Sequence, residues 1–195
     1  MRRPLRGVGP LGLYAAAVLA LFLPEARAAL FFSEVGGGDN LYLEIYNSGD
    51  AAVGLATYVL RGPRKWFRSA APAAFPPGAT VQARGVYVVC HPSAAPAVLS
   101  QCDHKLELDE GANYCLVASG QASVYDCVGD ESGGAGRDVC GEGDAEDATL
   151  IRKYTVTAGA LWLDSAAAGT CEWDRLPQGT FTYVGRVGAE SSSCP

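Results

Sequence analysis

The sequence predicts an all-β fold, an antiparallel sandwich stapled by disulfides, on three observations. Short apolar runs alternate with turn residues from Leu30 onward, as in Leu30-Phe-Phe-Ser-Glu-Val35, Gly36-Gly-Gly-Asp-Asn40 and Leu41-Tyr-Leu-Glu-Ile-Tyr-Asn47, the pattern of strands joined by tight turns. Seven cysteines fall between residues 90 and 194, enough for a disulfide framework. Charged residues make up 18% and apolar ones 49% of the chain, so a packed core is expected rather than disorder.

The elements follow in order. After the Asn47-Ser-Gly-Asp50 turn, a third run closes at Tyr58-Val-Leu60. Arg61 to Pro77 is expected to be a long loop, kept non-helical by Pro72, Pro76 and Pro77, since proline removes a donor and fixes φ. Val86 to Cys90 reads as a strong strand. Ala94 to Gln101 is the one helical turn expected, opened by Pro96. Lys105-Leu-Glu-Leu108 alternates like a half-buried strand. Asn113 to Val117 and Ala122 to Val128 flank a short turn and read as a hairpin. Asp130 to Asp147 is acidic and glycine-rich, a surface loop. Ala148 to Val156 and Glu172 to Gly185 follow and are read through the resemblance given below.

The N-terminal stretch stands apart. Arg2, Arg3 and Arg6 precede an apolar run from Leu11 to Leu23, and Ala26-Arg27-Ala28 supplies small residues at a cleavage site. Residues 1–28 are therefore expected to be a signal peptide cut after Ala28, with a retained anchor as the competing reading. Thirteen apolar residues fall short of the roughly 20 that a membrane span needs, and the tail Ser191-Ser-Ser-Cys-Pro195 carries no lipid-anchor signal. The expected mature chain is secreted, with a domain over residues 29–187 and a flexible tail over 188–195. Cleavage removes four arginines and Glu25 from 15 basic and 21 acidic side chains, leaving 11 against 20. Such a surface argues against nucleic acid as a partner.

Several stretches together resemble the lamin tail domain family. They are the Ser33-Glu-Val35 ending of the first run, Leu43-Glu-Ile-Tyr-Asn47, and Val53-Gly-Leu-Ala-Thr-Tyr-Val-Leu60. A Pro77-Gly78 turn leading to Tyr87-Val-Val89, Thr149-Leu-Ile-Arg-Lys153, and Glu172-Trp173 followed by Pro177-Gln178 and Thr180-Phe181 extend the match to Gly185. The resemblance implies an immunoglobulin-like antiparallel β-sandwich that serves as an interaction module rather than a catalyst. It departs from the nuclear members in lacking a coiled-coil rod, and from many bacterial ones in lacking room for a nuclease or phosphatase domain.

Chemistry is sparse. His91 and His104 are the imidazoles present, and a Cys90–His91 dyad competes with a disulfide at Cys90. The cysteine spacings of 12, 13, 12, 13, 31 and 23 fit no zinc motif. Asp130, Glu131, Glu142, Asp144, Glu146 and Asp147 offer hard oxygen ligands for a weak calcium site, but without a calcium-loop pattern; no other cofactor is expected. Trp66 and Phe67, edged by Arg64, Lys65 and Arg68 in a proline-bounded loop, are either an anchor for a protein or glycan partner or a flap over the sandwich edge. Trp173 is expected to seal one end of the core.

Six cysteines permit fifteen pairings. Local geometry favours Cys90–Cys102, Cys115–Cys127 and Cys140–Cys171, leaving Cys194 unpaired and able to join two chains. The functional expectation is a secreted, non-catalytic binding or structural module for an extracellular protein or glycan. The alternative is a small secreted hydrolase, or an accessory domain of one.

Overall fold

The computed structural model describes residues 30–38, 41–62, 64–65, 68–69, 72–109, 112–120, 124–130 and 137–186. The expected signal peptide, Glu131, Trp66, Phe67 and Cys194 lie outside these residues. The described chain is an all-β sandwich stapled by three disulfides.

The first strands are β1 (Leu30–Gly36), β2 (Tyr42–Asn47), β3 (Val53–Gly54) and β4 (Tyr58–Arg61). There follow β5 (Arg64–Lys65), β6 (Arg68–Ser69), β7 (Ala73–Ala74), β8 (Thr80–Val81) and β9 (Val86–Cys90). After α1 (Pro96–Leu99) come β10 (His104–Lys105), β11 (Tyr114–Ala118), β12 (Val124–Val128) and β13 (Ala148–Arg152). A second short helix, α2 (Trp162–Ser165), precedes β14 (Trp173–Pro177). One sheet has the order β10-β9-β2-β1-β13-β14, and the facing sheet has the order β12-β11-β4-β7. Phe32, Leu43, Ile45 and Leu150 of the first pack with Leu60 and Leu116 of the second in one core.

Several expectations need correction. Arg61 to Pro77 is not all loop, because β5 and β6 pair with each other and β7 adds to the edge of β4. The sheets are not wholly antiparallel: the excursion through α1 turns the chain back so that β10 runs parallel to β9. The strand expected over Lys105 to Leu108 ends at Lys105. Beyond Arg152 the chain turns, with Val156 N–H donating to the Lys153 carbonyl, so the strand expected to reach Val156 stops early. The last strand ends at Pro177, whose carbonyl accepts from Thr180 in a turn; residues 178–186 then cross the outer face of the larger sheet.

A bulge decides which residues face that outer side. In β1 the register with β2 shifts between Phe32, opposite Ile45, and Glu34, opposite Glu44. One extra residue reverses the side-chain alternation. Phe32 and Val35 therefore both enter the core, while Glu34 is turned to the other face. There Tyr42, Val88, Cys90, Ala94, Val98 and Val184 form a second, smaller apolar cluster. The larger sheet is thus covered on both sides.

Cys90 is bridged to Cys102, Cys115 to Cys127 and Cys140 to Cys171. In the β11–β12 hairpin, a register shift between Leu116 and Val117 sets Cys115 directly opposite Cys127.

Asn47 shows how the end of β2 is held. Its buried amide donates to the carbonyls of Ala51 and Gln82, at 2.8 and 3.0 Å, and its oxygen accepts the Gly49 N–H. Removing one side chain leaves three backbone groups short of a partner. Asn47→Ala is expected to lower stability by about 1–3 kcal/mol, read as a lower urea midpoint at unchanged m-value.

Candidate functional site

The residues singled out by sequence come to different places. His91 caps β9, its N–H donating to the Leu41 carbonyl. Its Nδ1 lies 2.6 Å from Ser93 Oγ and its Nε2 lies 2.9 Å from Glu107 Oε2. His104 sits in β10 beside Val89. Hydroxyl, imidazole and carboxylate are therefore in line, as in a hydrolytic relay. The nearby backbone is committed elsewhere, however. Ser93 N–H donates to His91 Nδ1 and Ala94 N–H to the His91 carbonyl, while Pro92 and Pro96 have no N–H to offer. A developing oxyanion needs such donors free.

The acidic loop is organised by its own backbone. Asp138, which sequence reasoning passed over, accepts the N–H groups of Gly141 and Gly143. Asp144 accepts from the Glu146 N–H, and Glu146 faces Arg137 at 3.5 Å. Glu142 and Asp147 are exposed, and the Asp130 carbonyl is held by Asn113. Among the described residues no three His, Cys, Asp or Glu side chains converge to hold a metal.

A buried ion cluster closes one end of the sandwich. Arg152, the last residue of β13, lies 3.2 Å from both oxygens of Asp126 on β12 and 2.6 Å from Glu172. Its guanidinium stacks on the Trp173 ring at 4.4 Å, a cation–π contact that fixes its plane. Trp173 is buried against Trp162, as expected of a residue closing the core. Asp126 also accepts the N–H groups of Phe32 and Ala160. Burial pushes its carboxyl up, to about 6, against the pull of Arg152 and these donors. It remains ionised at neutral pH.

This cluster pins the loop that leaves β13. Lys153 Nζ donates to the Cys171 carbonyl, Ala160 is held on Asp126, and Glu172 N–H reaches the Ser165 carbonyl. Gly159 lies so close to the Tyr125 carbonyl that a side chain has no room. On this fixed frame Tyr154, Leu161 and Leu163 are 75%, 45% and 65% exposed. Among the described residues they are the exposed large apolar side chains, and all fall within ten positions of the chain. Sequence reading placed Tyr154 in a strand over Thr149 to Val156, on the resemblance of that stretch to the family signature, whereas the strand ends at Arg152.

On the outer face a pair of acids lies where sequence reasoning saw only a strand. Glu34 and Glu44 are 1% and 2% exposed and directly opposite one another. Tyr42 Oη donates to Glu34 at 2.5 Å; Ser33 Oγ and Gly185 N–H donate to Glu44, each at 2.7 Å. Burial, then the neighbouring charge, pushes Glu34 up to about 8; burial likewise pushes Glu44 up to about 7. The signal was present in Ser33-Glu-Val35 and Leu43-Glu-Ile45, each a glutamate amid apolar residues. Arg64, Lys65 and Arg68 fall in the β5–β6 hairpin.

No protein-family model matches the chain, and no curated protein matches it. Three intramolecular disulfides suit an oxidising, extracellular-type compartment. Among the described residues no helix is long and apolar enough to cross a membrane.

Proposed function

We propose that this chain is a secreted, non-catalytic binding module of lamin-tail type, and that the loop bearing Tyr154, Leu161 and Leu163 is its contact surface for an extracellular protein. The observation that carries this reading is apolar exposure on a rigid support. Water-exposed leucines are costly in a free loop, but here the loop is tied to a buried ion cluster and gains nothing by collapsing. Ordered apolar side chains lose little entropy on docking, which favours a protein partner with an apolar pocket. Trp66 and Phe67, with Arg64, Lys65 and Arg68 around them in sequence, are a second candidate contact.

The test compares the mature domain with a Tyr154→Ser, Leu161→Ser, Leu163→Ser variant as bait against extracellular material. Partners are expected to be retained by the first and lost by the second, at unchanged thermal midpoint. Equal capture by both would remove the loop from the binding surface.

The Ser93–His91–Glu107 alignment favours one other reading, a weak secreted hydrolase. It requires ester turnover, or labelling of Ser93 by a fluorophosphonate, that disappears in His91→Ala. Neither is expected, because the N–H groups beside Ser93 are already engaged.

A further inference from the structure

The outer face of the larger sheet is covered by a C-terminal strap, residues 178–186, and the strap rests on the two buried acids. Phe181 meets Tyr42 edge-on with ring centroids 6.4 Å apart, and Val184 is buried in the cluster with Tyr42, Val88 and Val98. Gly185 places its N–H on Glu44 Oε2. It does so with φ of 75° and the Gln101 side chain packed beside it, a backbone conformation that favours glycine.

The groups facing the acids come from every element around them. Ser33 and Glu34 belong to β1, Tyr42 and Glu44 to β2, and Thr149 of β13 stands beside the Tyr42 hydroxyl. Asp103, from the turn before β10, acts on Glu44 while its own carboxylate holds the Val88 N–H. Gly185 comes from the strap. The charges bearing on the pair are therefore each other and Asp103, all negative. Two ionised carboxylates side by side in a dry site repel strongly, and burial penalises each of them.

We propose that Glu34 and Glu44 together hold one proton, and that this proton is a clasp that keeps the strap closed over the sheet. The division follows from the donors. Glu44 receives two hydrogen bonds and carries the charge, whereas Glu34 keeps the proton beside the Tyr42 hydroxyl. Loss of that proton to solvent places a second charge opposite Glu44. The strap is the covering element held by a single N–H on the pair, so it is the part that lets water in. Opening uncovers Tyr42, Val88 and Val98. The strap is closed in mildly acidic surroundings and loosens as the pH rises through the range in which Glu34 titrates, to about 8.

The experiment is NMR on the mature chain with carboxyl-labelled glutamate, together with hydrogen exchange of the strap amides. One glutamate carboxyl is expected to titrate near 8. The protection factor of the Gly185 amide is expected to fall about tenfold between roughly pH 6 and 9, one unit being a tenfold change. In Glu34→Gln the protection is expected to stay flat, because no second charge can form; Glu44→Gln provides the same readout if the first variant fails to fold. Titration of every glutamate near the ordinary 4 to 5, or the same loss of protection in the wild type and both variants, overturns the clasp. So does saturable calcium binding at neutral pH that Glu34→Gln abolishes, since the pair would then hold a cation instead of a proton.

Discussion

Arg152→Ala is expected to destabilise the domain by about 3–5 kcal/mol, the range found when one partner of a buried ion pair is removed. The side chain is buried and joins β13, β12 and the segment before β14 through Asp126 and Glu172. Its loss leaves the Asp126 charge in a dry site with the Phe32 and Ala160 N–H groups as its remaining donors. It also takes the guanidinium from the Trp173 face and opens a cavity between that ring and Phe31. Urea denaturation at neutral pH checks the size. A double replacement, Arg152→Met with Asp126→Leu, is expected to recover only part of the loss, because it removes the unpaired charge but leaves the Phe32 and Ala160 N–H groups without an acceptor. If Arg152→Ala alone costs less than about 1 kcal/mol, in the range of surface pairs, the cluster is not what holds this end together.

The second large effect is on the dependence of stability on pH. Glu34, Glu44 and Asp126 all have carboxyls raised by burial, to about 8, 7 and 6. A carboxyl that holds its proton more tightly folded than unfolded contributes stability that is complete below its unfolded value. That contribution is lost as the pH rises through the folded value. The domain is therefore expected to be most stable near pH 4 to 5 and to weaken progressively toward about 8, by a few kcal/mol at about 1.4 kcal/mol per unit. This runs against acid denaturation, the usual behaviour of proteins whose carboxylates are paired. Thermal midpoints across this range are the measurement. Glu34→Gln should flatten the slope above neutrality, and a midpoint that rises from pH 5 to 8 in the wild type would falsify the assignment of three carboxyls raised by burial.

Much of the framework was legible in the residues themselves. Alternation and turn chemistry located β2, β9 and the β11–β12 hairpin, and seven cysteines between residues 90 and 194 announced disulfide stapling. What stayed hidden shares a physical cause. The bulge after Phe32 adds one residue without any compositional trace, yet it alone turns Glu34 onto the face of Glu44. Arg152 and Asp126 are 26 positions apart and on different sheets, so neither predicts the other. Tyr154 follows a strand that ends at Arg152, where the side chain joins the ion cluster, and nothing local in the residues marks that end. The parallel pairing of β10 depends on a helical excursion whose return direction is set by tertiary packing. Local signals fixed where strands lie; long-range contacts fixed which faces they share.

The position of β1 in the sheet bears on how the molecule is made. It lies between β2, its neighbour in sequence, and β13, which pairs with it about 115 residues later. As the chain emerges from a ribosome or translocation pore, N-terminus first, β1 can pair at once with β2 through a short turn. Its other edge must wait for nearly the whole domain. Until then Glu34, Val35 and Gly36, in a strand that also carries Leu30, Phe31 and Phe32, present open backbone groups to any passing β-rich chain. The bridges Cys90–Cys102 and Cys115–Cys127 each span 12 residues and can close during that interval, whereas Cys140–Cys171 straddles β13 and belongs to the final step. Pairing of β1 with β13, inside the larger sheet rather than at its edge, is thus a late step, taken only once the C-terminal third of the domain that carries β13 and β14 has emerged.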